Sequence, residues 1–282
     1  MSNKAPKLVV SSDLNGTLVH QHTMGDMIRL YRGEEQFEEA NAVFKMQTSG
    51  TATMEEAFGT AGPLTKGLTL RQAIQYTQEH MRYVNGFGDF LGFLRQNGIP
   101  FVINSTGYSV TIYSIIGRVG EENVHGQIGN FLKFGLDGDC RSTLTEAELK
   151  DRVKRYFSFG PKVALFDKNY DLIKATGEIE LGIVDEAAKA ELITKYAKYN
   201  FPGMVSSQIV HMGDTMGDSW GILGVAQAGG VGIAFNYNEA LEDFLKERGS
   251  SALERIHFVD KKGLRSNLTK IIPILEDLVI GS

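Results

Sequence analysis

Five side chains in this sequence stand where they could act together: Asp13, Ser105, Lys189, Asp214 and Asp218. Leu8-Val9-Val10-Ser11-Ser12 runs into Asp13. Ile99-Pro100-Phe101-Val102-Ile103-Asn104 runs into Ser105-Thr106-Gly107, and Gln208-Ile209-Val210-His211-Met212 runs into Gly213-Asp214-Thr215-Met216-Gly217-Asp218. Three carboxylates held close together repel one another unless a cation neutralises them. Oxygen ligands without His or Cys suit a hard cation. Mg²⁺ fits best, because it keeps several waters and takes one or two carboxylates plus a substrate phosphate. Mg²⁺ beside a free carboxylate makes a site for phosphoryl transfer, in which the carboxylate attacks phosphorus and forms an aspartyl-phosphate. Singly, each group has a plainer role: Asp13 as a turn former or helix cap, Asp218 as a capping residue, Lys189 as a surface charge.

The elements that must position these groups follow from patterning. Short apolar runs rich in Val and Ile, closed by polar turns, read as buried parallel strands. In a doubly wound sheet the strand C-termini gather at one edge, so distant residues meet there. Lys189 opens a helix over 186–199 with Ile193 and Tyr196 on one face. That helix leads directly into the strand carrying Asp214, so the ammonium can reach the same edge. Helices are also expected over 87–95, 109–119, 219–228 and 264–279, with strands over 231–236 and 255–259. The strand–helix–strand alternation implies a right-handed parallel α/β sheet.

Residues 20–80 differ in character, being rich in Met, Glu, Gln and Phe and lacking β-branched runs. Amphipathic segments fall at 24–31 and 34–46, the latter with Phe37, Ala40, Val43 and Phe44 at helical spacing. Thr53 with Glu56 marks a further helix start, and Leu70, Ile74 and Thr77 align in another. A small helical domain inserted after the first strand is expected, its Met and aromatic residues forming bundle core. Residues 125–182 carry weaker signals: a helix over 143–156, and a hairpin of 162–166 with 172–179 around Lys168-Asn169.

At 282 residues the chain can bury a substantial core. Its net charge of -5 argues against sequence-independent nucleic-acid binding. The single cysteine, Cys140, excludes an intrachain disulfide and is expected to be a small buried or half-buried hydrophobe. No run reaches bilayer-spanning length and the N-terminus has no apolar signal core, so a cytoplasmic protein is expected, with no membrane partner.

Asp13-Leu14-Asn15-Gly16-Thr17-Leu18, the strand into Ser105, Lys189 and the 213–218 stretch resemble the four ordered motifs of the haloacid dehalogenase (HAD) superfamily, and most of all its phosphoserine-phosphatase-like branch. Leu64–Thr69, Asp185–Leu192 and Ala228–Asn236 read like matching stretches there; only about 130–172 falls outside the resemblance. It implies an α/β fold: a Rossmann-like parallel sheet flanked by helices, residues 1–20 and 85–282, with an α-helical cap at 21–84. It further implies Mg²⁺ as cofactor, Asp13 as nucleophile and metal ligand, and the backbone carbonyl of Asn15 and the carboxylate of Asp214 as further ligands. Asp218 would position the metal's waters or Lys189. Ser105, Thr106, Gly107 and Lys189 would hold the phosphoryl group of a small phosphorylated metabolite. A homodimer is allowed, with nothing in the sequence demanding it.

The pattern breaks at two places. Phosphatases of the family carry a second Asp two residues after the nucleophile, to protonate the leaving group and activate water; here stands Asn15, which cannot shuttle a proton. Such help is worth roughly 10²–10⁴-fold in rate. Three readings stay open: an engineered trap, a natural change offset by a good leaving group or another proton source, or different chemistry on phosphonates or haloacids. A phosphonate-cleaving enzyme would need a cap lysine, for which Lys45 and Lys66 are nominal. Second, the Glu and Arg that hold phosphoserine in the family are matched by His22 and Ala61, so phosphoserine is not expected as the main substrate. His20, His22, Arg29 and Arg32 are candidates to meet a polar or anionic leaving group, although each taken singly reads first as a solvated residue of the cap surface.

Overall fold

The computed structural model describes residues 6–48, 51–159, 166–262 and 265–280. Its sheet has seven strands: β1 (Val9–Ser12), β2 (Phe101–Tyr108), β3 (Gly126–Leu136), β4 (Ile173–Glu180), β5 (Ile209–Gly213), β6 (Val231–Tyr237) and β7 (Ile256–Lys261). Their order is β4-β3-β2-β1-β5-β6-β7, with every pairing parallel except β3 against β4. Ser12 lies opposite Ile103 on one side and Met212 on the other. Strand order therefore diverges at β1, and the C-terminal end of β1 is the switch point where such sheets open a crevice.

Period-two alternation explains why these runs are strands. Val10, Phe101, Ile103 and Val210 join the large core with Phe90 and Leu94, whereas Val9, Val102 and Ile209 pack on the opposite face with Ile193, Ala197 and Val225. A strand apolar on both faces must be covered on both, and the helices do so.

Between β1 and β2 lie α1 (Thr23–Arg32), α2 (Glu34–Thr48), α3 (Met54–Leu64), α4 (Leu70–Glu79) and α5 (Phe87–Gln96). The expected start at Thr53 is a complete capping box with Glu56, and Thr69 forms another with Gln72. Ala40, Leu70, Ile74 and Thr77 are fully buried, as their spacing suggested. The chain leaves and re-enters this helical segment side by side: Val84 N–H donates to Leu18 O and His20 N–H to Arg82 O, both at 2.9 Å. Downstream follow α6 (Ser109–Val119), α7 (Glu146–Phe159), α8 (Ala188–Asn200), α9 (Ser219–Gln227), α10 (Glu239–Arg248) and α11 (Ile272–Ile280). Among the described residues no helix is long and apolar enough to cross a membrane.

The weakly patterned segment departs from expectation. β4 pairs antiparallel with β3, not with 162–166, of which 162–165 lie outside the described residues. Residues Asn169–Leu172 form a helical turn rather than a hairpin bend. β3 lacked a clean signal because most of its early residues are only half-buried. β4 satisfies part of its outer backbone on the helical segment, where Ala175 exchanges hydrogen bonds with Gly67 and Leu68 at 2.9 and 2.7 Å. Cys140 is exposed, contrary to expectation, because it opens a short 3-10 turn between β3 and α7, capped by Asp139. Helix α7 starts at Glu146 because Thr145 and Glu148 cap each other there. Helix α10, capped by Asn238, was not anticipated.

Candidate active site

β1 delivers Asp13 to the switch point, where its N–H still donates to Met212 O of β5 at 2.9 Å. The chain then turns sharply. Gly16 adopts φ +80, and a Cβ there would sit 2.1 Å from Asp214 Oδ2, so only glycine lets the turn close on that carboxylate. Two side chains fix the turn: Thr17 Oγ1 donates to Asp214 Oδ1 at 3.2 Å, and Asn236 Nδ2 donates to Gly16 O at 2.7 Å. Asn236 holds a left-handed backbone (φ +54) at the end of β6 and accepts from Ser266 Oγ.

Lys189 lies one residue into α8, where Asp185 caps Ala188 N–H and Asn104 Nδ2 donates to Lys189 O at 3.0 Å. Its side chain is buried, with Nζ 3.0 Å from Asp13 Oδ1 and 2.5 Å from Asp218 Oδ1. Asp218 Oδ2 accepts from Asp214 N–H at 3.1 Å. Asp218 thus spends both oxygens orienting Lys189 and the 213–218 turn. Asp13, Asp214 and Asp218 each offer an oxygen within 4.8 Å of the others, all buried.

Three buried carboxylates face one ammonium. Burial pushes Asp13 up to about 6, Asp218 adding to the rise while Lys189 and Ser105 oppose it. Burial likewise pushes Asp214 well above the usual carboxylate range, reinforced by Asp218 and Asp13. Burial pulls Lys189 down, but Asp13 and Asp218 together outweigh it and the net shift is upward. The negative charge left without a partner is what a divalent cation would neutralise, and the donors are the hard oxygens such an ion takes. The residues fit Mg²⁺. Behind them, burial lowers His211 to about 4, leaving a neutral ring whose Nδ1 meets Ser11 Oγ at 3.0 Å.

β2 does not stop at Ser105: it continues to Tyr108 with a bulge between Asn104 and Tyr108. The bulge turns Ser105 inward, where it is buried, accepts from Gly107 N–H at 3.1 Å and acts on Asp13. Thr106 and Gly107 line a cavity of about 260 Å³ above Asp13, together with Asn15, Lys189, Asp214 and Asp218. Asn15 Oδ1 accepts from Thr23 N–H at 2.9 Å, so its amide nitrogen is left to face Gly107.

The opposite wall comes from the helical segment: His22, Met24, Phe44, Gln47, Met54 and Phe58. His22 lines it as expected, but it caps α1 through Nδ1 (Gly25 N, 3.4 Å), and burial lowers its pKa, so it is a neutral donor rather than a cation. Arg29 is turned away, stacked 3.5 Å over Phe37 and paired with Glu34 at 3.0 Å. Neither Arg29, Arg32, Lys45, Lys66 nor Ala61 lines the cavity. His20 and Lys262 stand at its rim. Gln47 Nε2 donates to Glu186 Oε1 at 2.8 Å, tying α2 to the chain just before α8. Lys262 could have been found as another polar residue at a strand end; Phe44, Met54 and Phe58 carried no signal separating cavity wall from core.

This architecture, a mostly parallel sheet with acidic residues at its switch point under a helical insert, is the HAD-like α/β fold. Among solved structures, a phospho-aspartyl intermediate analogue of phosphoserine phosphatase is similar at TM-score 0.63 and 18% identity, covering 95% of this chain and 99% of that one. A HAD family hydrolase from Salmonella enterica matches at 0.62 and 15%, covering 95% and 71%. Cytosolic 5'-nucleotidase IIIB bound to cytidine matches at 0.57 and 16%, covering 98% and 86%. No family model and no curated protein matches the sequence.

Proposed function

We propose that this protein is a Mg²⁺-dependent phosphomonoester hydrolase of the HAD type that acts on a small phosphorylated metabolite through Asp13. One observation carries the proposal: Asp13, Asp214, Asp218 and Lys189 converge, buried, at the switch point of the sheet, under a cavity. Asp13 attacks phosphorus and carries the phosphoryl group as an aspartyl-phosphate until water releases it. Lys189 holds Asp13 in place and offsets charge on the phosphoryl oxygens, while Thr106 and Gly107 of the bulge line the cavity beside them and Ser105 backs Asp13 from behind. Asp13, Asp214 and the carbonyl of Asn15 would hold the metal, with Asp218 beside it. When bound, the metal offsets phosphate charge and polarises the phosphoryl group.

Asn15 motivates a second reading, a catalytically weak protein that binds a phosphorylated ligand. The phosphonate-cleaving alternative loses support, since neither Lys45 nor Lys66 lines the cavity. Assaying the native protein and Asn15→Asp on a panel of phosphometabolites, with Mg²⁺ and with EDTA, separates the two. The hydrolase reading expects Mg²⁺-dependent turnover, rising roughly 10²–10⁴-fold in Asn15→Asp on alkyl esters. Inactivity of both forms, with ligand still bound, would favour the binding reading.

A further inference from the structure

We propose that the site selects phosphate monoesters of aromatic alcohols, seating the ring of the leaving group against His22, Phe44 and Phe58. The inference rests on the hydrolase reading above and deepens it. Two independent features point the same way.

The first is the wall. His22 and Phe44 lie 5.1 Å apart between ring centroids with planes tilted by 48°, and Phe44 meets Phe58 edge-on at 5.7 Å. Met24 and Met54 fill in around them. Such spacing and tilt suit a further ring joining by edge or face, and Met sulfur also favours aromatic edges. Among the described residues of this wall none is a cation. Of the two lysines that line the cavity, Lys189 is committed to Asp13 and Asp218, and Lys262 stands exposed at the rim, where its charge acts on Asp214. The cavity of about 260 Å³ exceeds the ~150 Å³ that accommodates benzene, which leaves room for the phosphate.

The second feature is Asn15. With Oδ1 held by Thr23 N–H, its side chain can donate a hydrogen bond but no proton is transferred. An alkoxide cannot leave readily without one, whereas a phenol ionises near ~10, about six pH units below water. In the first step the Asp13 oxygen bonds to phosphorus as the phosphorus–aryl oxygen bond breaks. The electron pair departs on the aryl oxygen, which takes its proton from water. In the second step water bonds to phosphorus, the bond to Asp13 breaks back to a carboxylate, and the water's protons leave on phosphate or to solvent. Asn15 handicaps only this second step when the leaving group is aromatic.

Rapid mixing of the native protein with Mg²⁺ and 4-nitrophenyl phosphate tests the kinetics. A burst approaching one nitrophenol per protein, followed by slower steady turnover, is expected. Ring recognition is read separately from leaving-group quality with acetyl phosphate, which leaves easily but has no ring. In Phe44→Leu the ratio of kcat/KM for phenyl phosphate over acetyl phosphate should fall about tenfold. Without any variant, phenylphosphonate should inhibit at least tenfold more tightly than methylphosphonate. Equal inhibition by the two phosphonates, or glycerol phosphate turned over as well as phenyl phosphate, would overturn the aromatic assignment alone. No hydrolysis of any ester by the native protein or Asn15→Asp would overturn the hydrolase reading and this inference together.

Discussion

The floor and the wall of the cavity are built on opposite principles. On the floor, every side chain is polar, buried and bonded to another: Asp13 to Lys189, Lys189 to Asp218, Asp218 to the backbone of Asp214. Removing one member strands the rest. The wall is a set of rings and thioethers from three helices, in which His22 Nδ1 accepts from Gly25 N–H, Met24 Sδ accepts from Tyr108 O–H and Gln47 donates to Glu186. Chemistry needs fixed geometry and charge, so the floor tolerates little; recognition of an apolar body needs only surface, so the wall can vary.

The sharpest way to break this contrast is Asp13→Asn, which should reduce phosphatase turnover on the order of 10⁴-fold or more while leaving the fold intact. Circular dichroism and steady-state kinetics check both halves, and surviving activity would show that the floor is not the reacting side. Next in size, Lys189→Met without Mg²⁺ should cost about 3–5 kcal/mol in urea unfolding, because it leaves buried carboxylates unpaired. The smallest effect is pH-linked. Asp13 titrates near 6 in the fold against an ordinary 3.8, so the folded state binds its proton more tightly. That contribution is fully present below about pH 4 and is lost as pH rises through about 6. The metal-free protein should therefore lose stability over that interval. Added Mg²⁺ should raise Tm more at pH 7 than at pH 4.5, with each ~1 kcal/mol moving Tm by roughly 2–4 °C. An equal Mg²⁺ response at both pH values would count against a cation among these carboxylates.

The floor was readable in the sequence because strand ends announce themselves. An apolar run that stops at Asp13 or Asp214 combines a periodicity with a break, and topology carries both residues to one edge. Lys189 could be placed because its helix feeds the next strand. The wall was not readable, since Phe44 and Phe58 have the same spacing whether they face a core or a cavity, and both lie against core residues as well. Arg29 and Arg32 were candidates for the leaving group on charge alone, with a solvated surface the plainer reading, and Arg29 does lie outside the cavity, on Phe37 and Glu34. β3 hid because a half-buried strand paired on one side to a parallel neighbour and on the other to an antiparallel one shows neither pattern cleanly.

The paired crossings at Leu18–His20 and Arg82–Val84 moor the helical segment to the core close to Thr23, whose N–H holds Asn15. Gly67 and Leu68 moor it again to Ala175 at the edge of the sheet, and Gln47 moors it to Glu186. The amide beside the nucleophile sits next to the first of these three attachments, so the wall and the floor share an anchor.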